Sequence, residues 1–101
     1  MQVRICSTMF TVIIMNSTNN SLRYLDLSVN RIGEKGGVEI ARALQHSPPI
    51  TWLSLNNNNL NDRVGEALVQ ALKRNTTILV MQIELNNITY KVFICIMINK
   101  I

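Results

Sequence analysis

One spacing recurs three times in this chain, and it constrains the fold more than any other feature. Leu22, Leu25, Leu27, Asn30 and Ile32 are matched by Ile50, Leu53, Leu55, Asn58 and Leu60. Ile78, Met81, Ile83, Asn86 and Ile88 repeat the pattern again. Each set fits LxxLxLxxNxL, and each position returns 28 residues later. A constant period of this size marks stacked supersecondary units, each burying its apolar side against the next.

The repeat settles how to read "WLSLNNNNLND", Trp52 to Asp62. Asparagine runs are often disordered, low-complexity sequence. Here Asn58 shares its slot with Asn30 and Asn86. Asn56 and Asn57 do not recur as asparagine, and Asn59 recurs only as Asn87. A side-chain amide carries both donors and an acceptor. It suits the backbone groups that a tight turn leaves unpaired. Asn30, Asn58 and Asn86 are therefore expected to form a structural ladder, with no catalytic part.

Local patterns supply the elements of the unit. In "LRYLDL" and "ITWLSL" apolar residues alternate, the period of a half-buried strand. The Asn and Gly that follow mark a turn. "GEKGGVEIARALQHS" and "DRVGEALVQALKRNT" come next. Ile40, Ala43 and Leu44 align with Leu68, Ala71 and Leu72, at the i, i+3, i+4 spacing of one helix face. Gly37 aligns with Gly65, which points to close backbone packing or a special turn. Glu34 and Asp62 near the helix starts, and His46, Lys73 and Arg74 near the ends, suit the helix dipole. Glu39, Arg42, Glu66 and Lys73 read as a solvated outer face. Pro48 and Pro49 cannot continue a helix.

A 28-residue strand–turn–helix unit with LxxLxLxxNxL resembles the ribonuclease-inhibitor type of leucine-rich repeat, as in ribonuclease inhibitor, NOD-like receptors and the Ran GTPase-activating protein. The resemblance runs from about Asn19 to Ile88. It implies an α/β solenoid with short parallel strands on a concave side and helices on a convex side. The expected units are 22–49, 50–77 and a partial 78–88. The family shares an architecture and not a chemistry.

The flanks depart from the pattern. In residues 1–18, Met9 holds the glycine slot and Asn16 a leucine slot. In residues 89–101 the glycine slot fails again, and Asn99 and Lys100 replace the Ala-Leu pair. Both segments are apolar and β-branched, which favours strand over helix. Neither resembles the polar-faced cap of an open solenoid end. The N-terminal stretch has a weak likeness to a secretory signal but no small-residue cleavage pattern. "VFICIMI" is far short of the roughly 20 residues a membrane-spanning helix needs. About two and a half units are present, where at least three are usually needed. The expected picture is a fragment of a longer cytoplasmic repeat protein, without membrane attachment.

Composition narrows the function further. Hydrophobic residues make up 48% and aromatics only 5%, so the core is expected to be aliphatic. The net charge of +4 is scattered and forms no basic run, which argues against nucleic-acid binding. Cys6 and Cys95 show no zinc spacing and no disulfide framework. The lone His46 falls at a helix end. "GEKGG" at Gly33–Gly37 lacks P-loop spacing. No catalytic residue, metal site or cofactor is expected.

Function then falls to the strand face. Residues between the apolar slots are expected to point outward in columns: Tyr24, Trp52 and Val80; Asp26, Ser54 and Gln82; Ser28, Asn56 and Glu84. Trp and Tyr are common interface anchors, so this face is expected to bind a protein partner. The alternative is part of a GTPase activator like the Ran-activating family, although no residue here can be assigned to that activity.

Overall fold

The computed structural model describes residues 23–89 and Val92. Three short strands, β1 (Tyr24–Asp26), β2 (Trp52–Ser54) and β3 (Val80–Gln82), alternate with two helices, α1 (Gly33–Leu44) and α2 (Asp62–Arg74). The strands form one parallel sheet in the order β1-β2-β3. Parallel neighbours need a long crossover, and a helix supplies it each time. Tyr24 pairs with Trp52 and Trp52 with Val80; Leu25 pairs with Leu53 and then Met81. Residues 28 apart are thus in register, as their shared slots require. Pairing continues past the strands, from Leu27 N–H to Ser54 O at 2.9 Å and from Leu55 N–H to Gln82 O at 2.7 Å.

The core is aliphatic and lies between the sheet and the helices. Leu25, Leu27, Leu53, Leu55 and Ile83 meet Ile40, Ala43, Leu44, Leu68, Ala71 and Leu72, with Ile50, Leu60 and Ile78 at the turns. Each large aliphatic side chain buried this way stabilises the fold by roughly 1.5–3 kcal/mol. The helix face read from the sequence is the buried one. Arg42, Glu66, Gln70 and Lys73 lie exposed on the other side.

Asparagine joins one unit to the next. Asn58, fully buried, accepts at Oδ1 from the N–H groups of Asn30 (2.8 Å) and Ile32 (3.4 Å). Its Nδ2 donates to Leu27 O (2.8 Å) and Asn56 O (3.2 Å). Asn86 repeats the arrangement on Asn58 N–H (2.9 Å), Leu60 N–H (3.0 Å) and Leu55 O (2.9 Å). Asn30 donates to Leu27 O at 2.7 Å. These bonds run from amide to backbone and not from amide to amide.

Several details differ from expectation. The rest of the Asn run also has positional reasons. Asn57 (φ 55°) and Asn59 (φ 58°) are left-handed, a region asparagine enters more readily than most residues. Val29 (φ 59°) and Leu85 (φ 58°) occupy the same slot as Asn57 and share its conformation. The helices end at Leu44 and Arg74, earlier than the stretches read as helical. Ser47 turns to φ 51°, and Asn75 is extended. Gly37 and Gly65 sit within the helices, so their role is close packing and not a special turn.

A second amide joint was absent from the sequence reading. Buried Asn75 donates from Nδ2 to Leu44 O at 2.8 Å. Its Oδ1 accepts from Ile78 N–H (2.8 Å) and Thr77 N–H (3.0 Å). One side chain therefore caps the end of α1 and shapes the entry to β3. Asn61 caps α2 by accepting from Val64 N–H at 3.2 Å, and donates to Glu34 at 2.8 Å. The flanks 1–18 and 89–101 lie outside the described residues, apart from Thr89 and Val92.

Candidate partner-binding face

The parallel register gathers the predicted face. Tyr24, Trp52 and Val80 form one row across the three strands. The Tyr24 and Trp52 rings stack with centroids 3.9 Å apart and planes 9° from parallel. Adjacent parallel strands lie about 4.7–4.9 Å apart, so in-register aromatics pack face to face. Tyr24 remains 47% exposed and Val80 43%, while Trp52 between them is half-buried.

The polar rows are tied into the sheet. Asp26 accepts from the hydroxyl and the N–H of Ser28, the latter at 2.9 Å. Those two bonds, the hydroxyl first, hold its carboxyl below the ordinary Asp value. Asn56 accepts from Glu84 N–H at 2.7 Å and donates to Gln82 Oε1 at 3.3 Å. Ser54 departs from expectation: it is 2% exposed and does not belong to the open face. Its short side chain lies on the central strand, in register with the longer Asp26 and Gln82 on either side. Gln82 is half-buried and Glu84 exposed.

Two further apolar residues flank the face. Leu79 is 77% exposed and Leu85 79%. Their slots in the preceding unit hold Thr51 and Asn57. The signal was available as a polar-to-apolar change within a column.

Among the described residues, no three His, Cys, Asp or Glu side chains cluster to hold a metal ion. No described helix is long and apolar enough to cross a membrane.

Residues 18–41 match the family model described as Leucine Rich repeat. The match covers 24 of the 101 residues and supports a leucine-rich repeat there. The matched residues span β1, the first ladder asparagine and most of α1. Among solved structures, the chain is similar to the tropomodulin C-terminal domain of Caenorhabditis elegans, with a TM-score of 0.78 and 14% sequence identity. The match covers 91% of this chain and 56% of that one, so this chain spans little more than half the length of its structural neighbour. At that identity the likeness is one of fold: parallel strands and helices in a leucine-rich-repeat-like arrangement. No curated protein matches the chain.

Proposed function

We propose that residues 22–88 belong to a longer curved solenoid of 28-residue units, of the ribonuclease-inhibitor type, whose strand face holds a protein partner. The observation that carries this reading is the stacked Tyr24–Trp52 pair on that face. Aromatic side chains contribute large rigid contact area, and Trp and Tyr dominate the energetics of many interfaces. The stack orders both rings before a partner arrives, so less side-chain entropy is lost on binding. Asp26, Ser28 and Asn56 already hold hydrogen bonds within the face. A partner covering them strands fewer polar groups.

On this reading the chain is a cytoplasmic binding module. It performs no reaction, uses no cofactor and has no nucleic-acid or membrane ligand. The extra length of the structural neighbour is consistent with further units beside these.

The test is site-directed photo-crosslinking in the full-length protein. A photoreactive residue at Val80, exposed on the strand face, should yield a discrete protein adduct. The same residue at Gln70, exposed on α2, should yield none. An adduct from Gln70 alone would place binding on the helix side. Stimulated GTP hydrolysis by an added GTPase would favour the activator reading instead.

A further inference from the structure

The strand face carries charge of one sign. The chain has ten Lys and Arg residues and a net charge of +4, yet none of the ten falls in the three columns of this face. Two of the six carboxylates do, Asp26 and Glu84. Arg23 and Arg31 flank β1 in sequence but lie outside the columns. Arg23 donates to Pro49 O at 3.3 Å, and Arg31 follows the ladder residue Asn30, in the turn before α1. Exposed apolar surface from Tyr24, Leu79 and Val80 adjoins the carboxylates.

Both carboxylates can take a further partner. Asp26 receives its two Ser28 bonds on Oδ1, and among the described residues no hydrogen bond reaches Oδ2. Glu84 is exposed, and its carboxylate forms no hydrogen bond or ion pair among the described residues. Asp26 stands two residues along β1 from Tyr24. The two therefore project from the same side of the sheet, roughly 6.5–7 Å apart. A planar guanidinium stacks on aromatic rings and also pairs with carboxylates. Glu84 lies two strands from Asp26, roughly 9–10 Å across the sheet, so a second basic group is needed to reach it.

We infer that the partner seated on this face presents a basic segment: an arginine over Tyr24 and against Asp26, a second basic group at Glu84, and apolar side chains over Leu79 and Val80. The inference rests on the strand-face reading above and narrows it to one partner chemistry. The aromatic pair supplies affinity without regard to charge. The carboxylates supply choice, because an acidic partner meets like charges there.

Trp52 is the only tryptophan in the chain, so its fluorescence reads the face directly. The test titrates the full chain with two capped peptides, one alternating arginine with leucine and one alternating glutamate with leucine. The arginine peptide should change Trp52 emission saturably and bind less tightly as salt rises. The glutamate peptide should bind about tenfold more weakly or worse. Asp26→Asn keeps an acceptor for Ser28 and removes the charge. It and Glu84→Gln should each weaken the arginine peptide about twofold to fivefold, the range of an exposed ion pair. Glu66→Gln, exposed on α2, should leave binding unchanged. Equal binding of the two peptides, tighter binding of the glutamate peptide, or no saturable change with either would overturn the basic-partner inference. Crosslinking at Val80 separates the two claims. An adduct there together with any of those three results keeps the strand face and removes its charge preference, whereas no adduct at Val80 removes both.

Discussion

The side-chain oxygen of Asn58 accepts the backbone N–H of Asn30, 28 residues earlier, at 2.8 Å. Asn86 holds Asn58 in the same way at 2.9 Å. These bonds tie each turn to the next, beside the backbone bonds from Val29 N–H to Asn56 O at 3.0 Å and from Gly33 N–H to Asn58 O at 2.9 Å. Because Asn58 is buried, Asn58→Ala removes the acceptor of the Asn30 and Ile32 N–H groups, whereas Leu27 O and Asn56 O keep other donors in Asn30 Nδ2 and Val29 N–H. The expected loss is about 1–3 kcal/mol, read from urea melts. Asn59→Ala, at an exposed position in the same run, should cost less. Equal losses would show that burial of the amide is not the deciding factor.

The left-handed slot gives a gain. Val29 holds φ 59° with a β-branched side chain, an uncommon and costly conformation. Asn57 occupies the same slot in the next unit. Val29→Asn should stabilise the chain by about 1 kcal/mol. Thermal or urea unfolding checks this, and a lower midpoint would contradict it.

The glycine socket gives a loss. Gly37→Ala places a methyl against Val64, whose branched side chain has few rotamers to retreat into. Overpacking of this kind costs about 1–3 kcal/mol. The same change relieves a helix-interior glycine of roughly 0.8–1 kcal/mol, so the net change in the unfolding midpoint should be downward but moderate. A rise would mean that the helices part without cost.

The four leucine-type slots and the Asn slot were legible because a stacked repeat puts the same demand on the same position each time. The helix face was legible for the same reason. What escaped the sequence was demand met by different residues in different units. Asn75 bridges to Leu44, while its counterpart 28 residues earlier is Ser47. The left-handed slot holds Val29, Asn57 and Leu85, two aliphatic side chains and one amide, of which only the asparagine signals that conformation. Ser54 looked outward by alternation, yet its burial depends on the size of its cross-strand neighbours. The stacking of Tyr24 on Trp52 follows from the register but also needs a matching rotamer at each ring.

A pH effect follows from Ser28. Its hydroxyl and N–H hold the Asp26 carboxyl below its ordinary value. A carboxyl depressed in the folded state contributes stability above its unfolded pKa, and that contribution is lost as pH falls through the folded pKa. Ser28→Ala removes the hydroxyl and keeps the N–H. Asp26 should then titrate at higher pH, part of the way to the ordinary value, in a carboxyl carbon NMR titration. An unchanged titration would remove the hydroxyl as the main cause.

The most direct test of the binding face compares Trp52→Ala with Gln70→Ala. Each variant is titrated with the partner identified by crosslinking at Val80. Trp52 lies between Tyr24 and Val80 on the central strand, whereas Gln70 is exposed on α2. Trp52→Ala should weaken binding by about 2 kcal/mol or more, with the fold retained by circular dichroism. Gln70→Ala should stay within about 0.5 kcal/mol. Full affinity for Trp52→Ala, with binding lost in Gln70→Ala, would contradict the strand-face account.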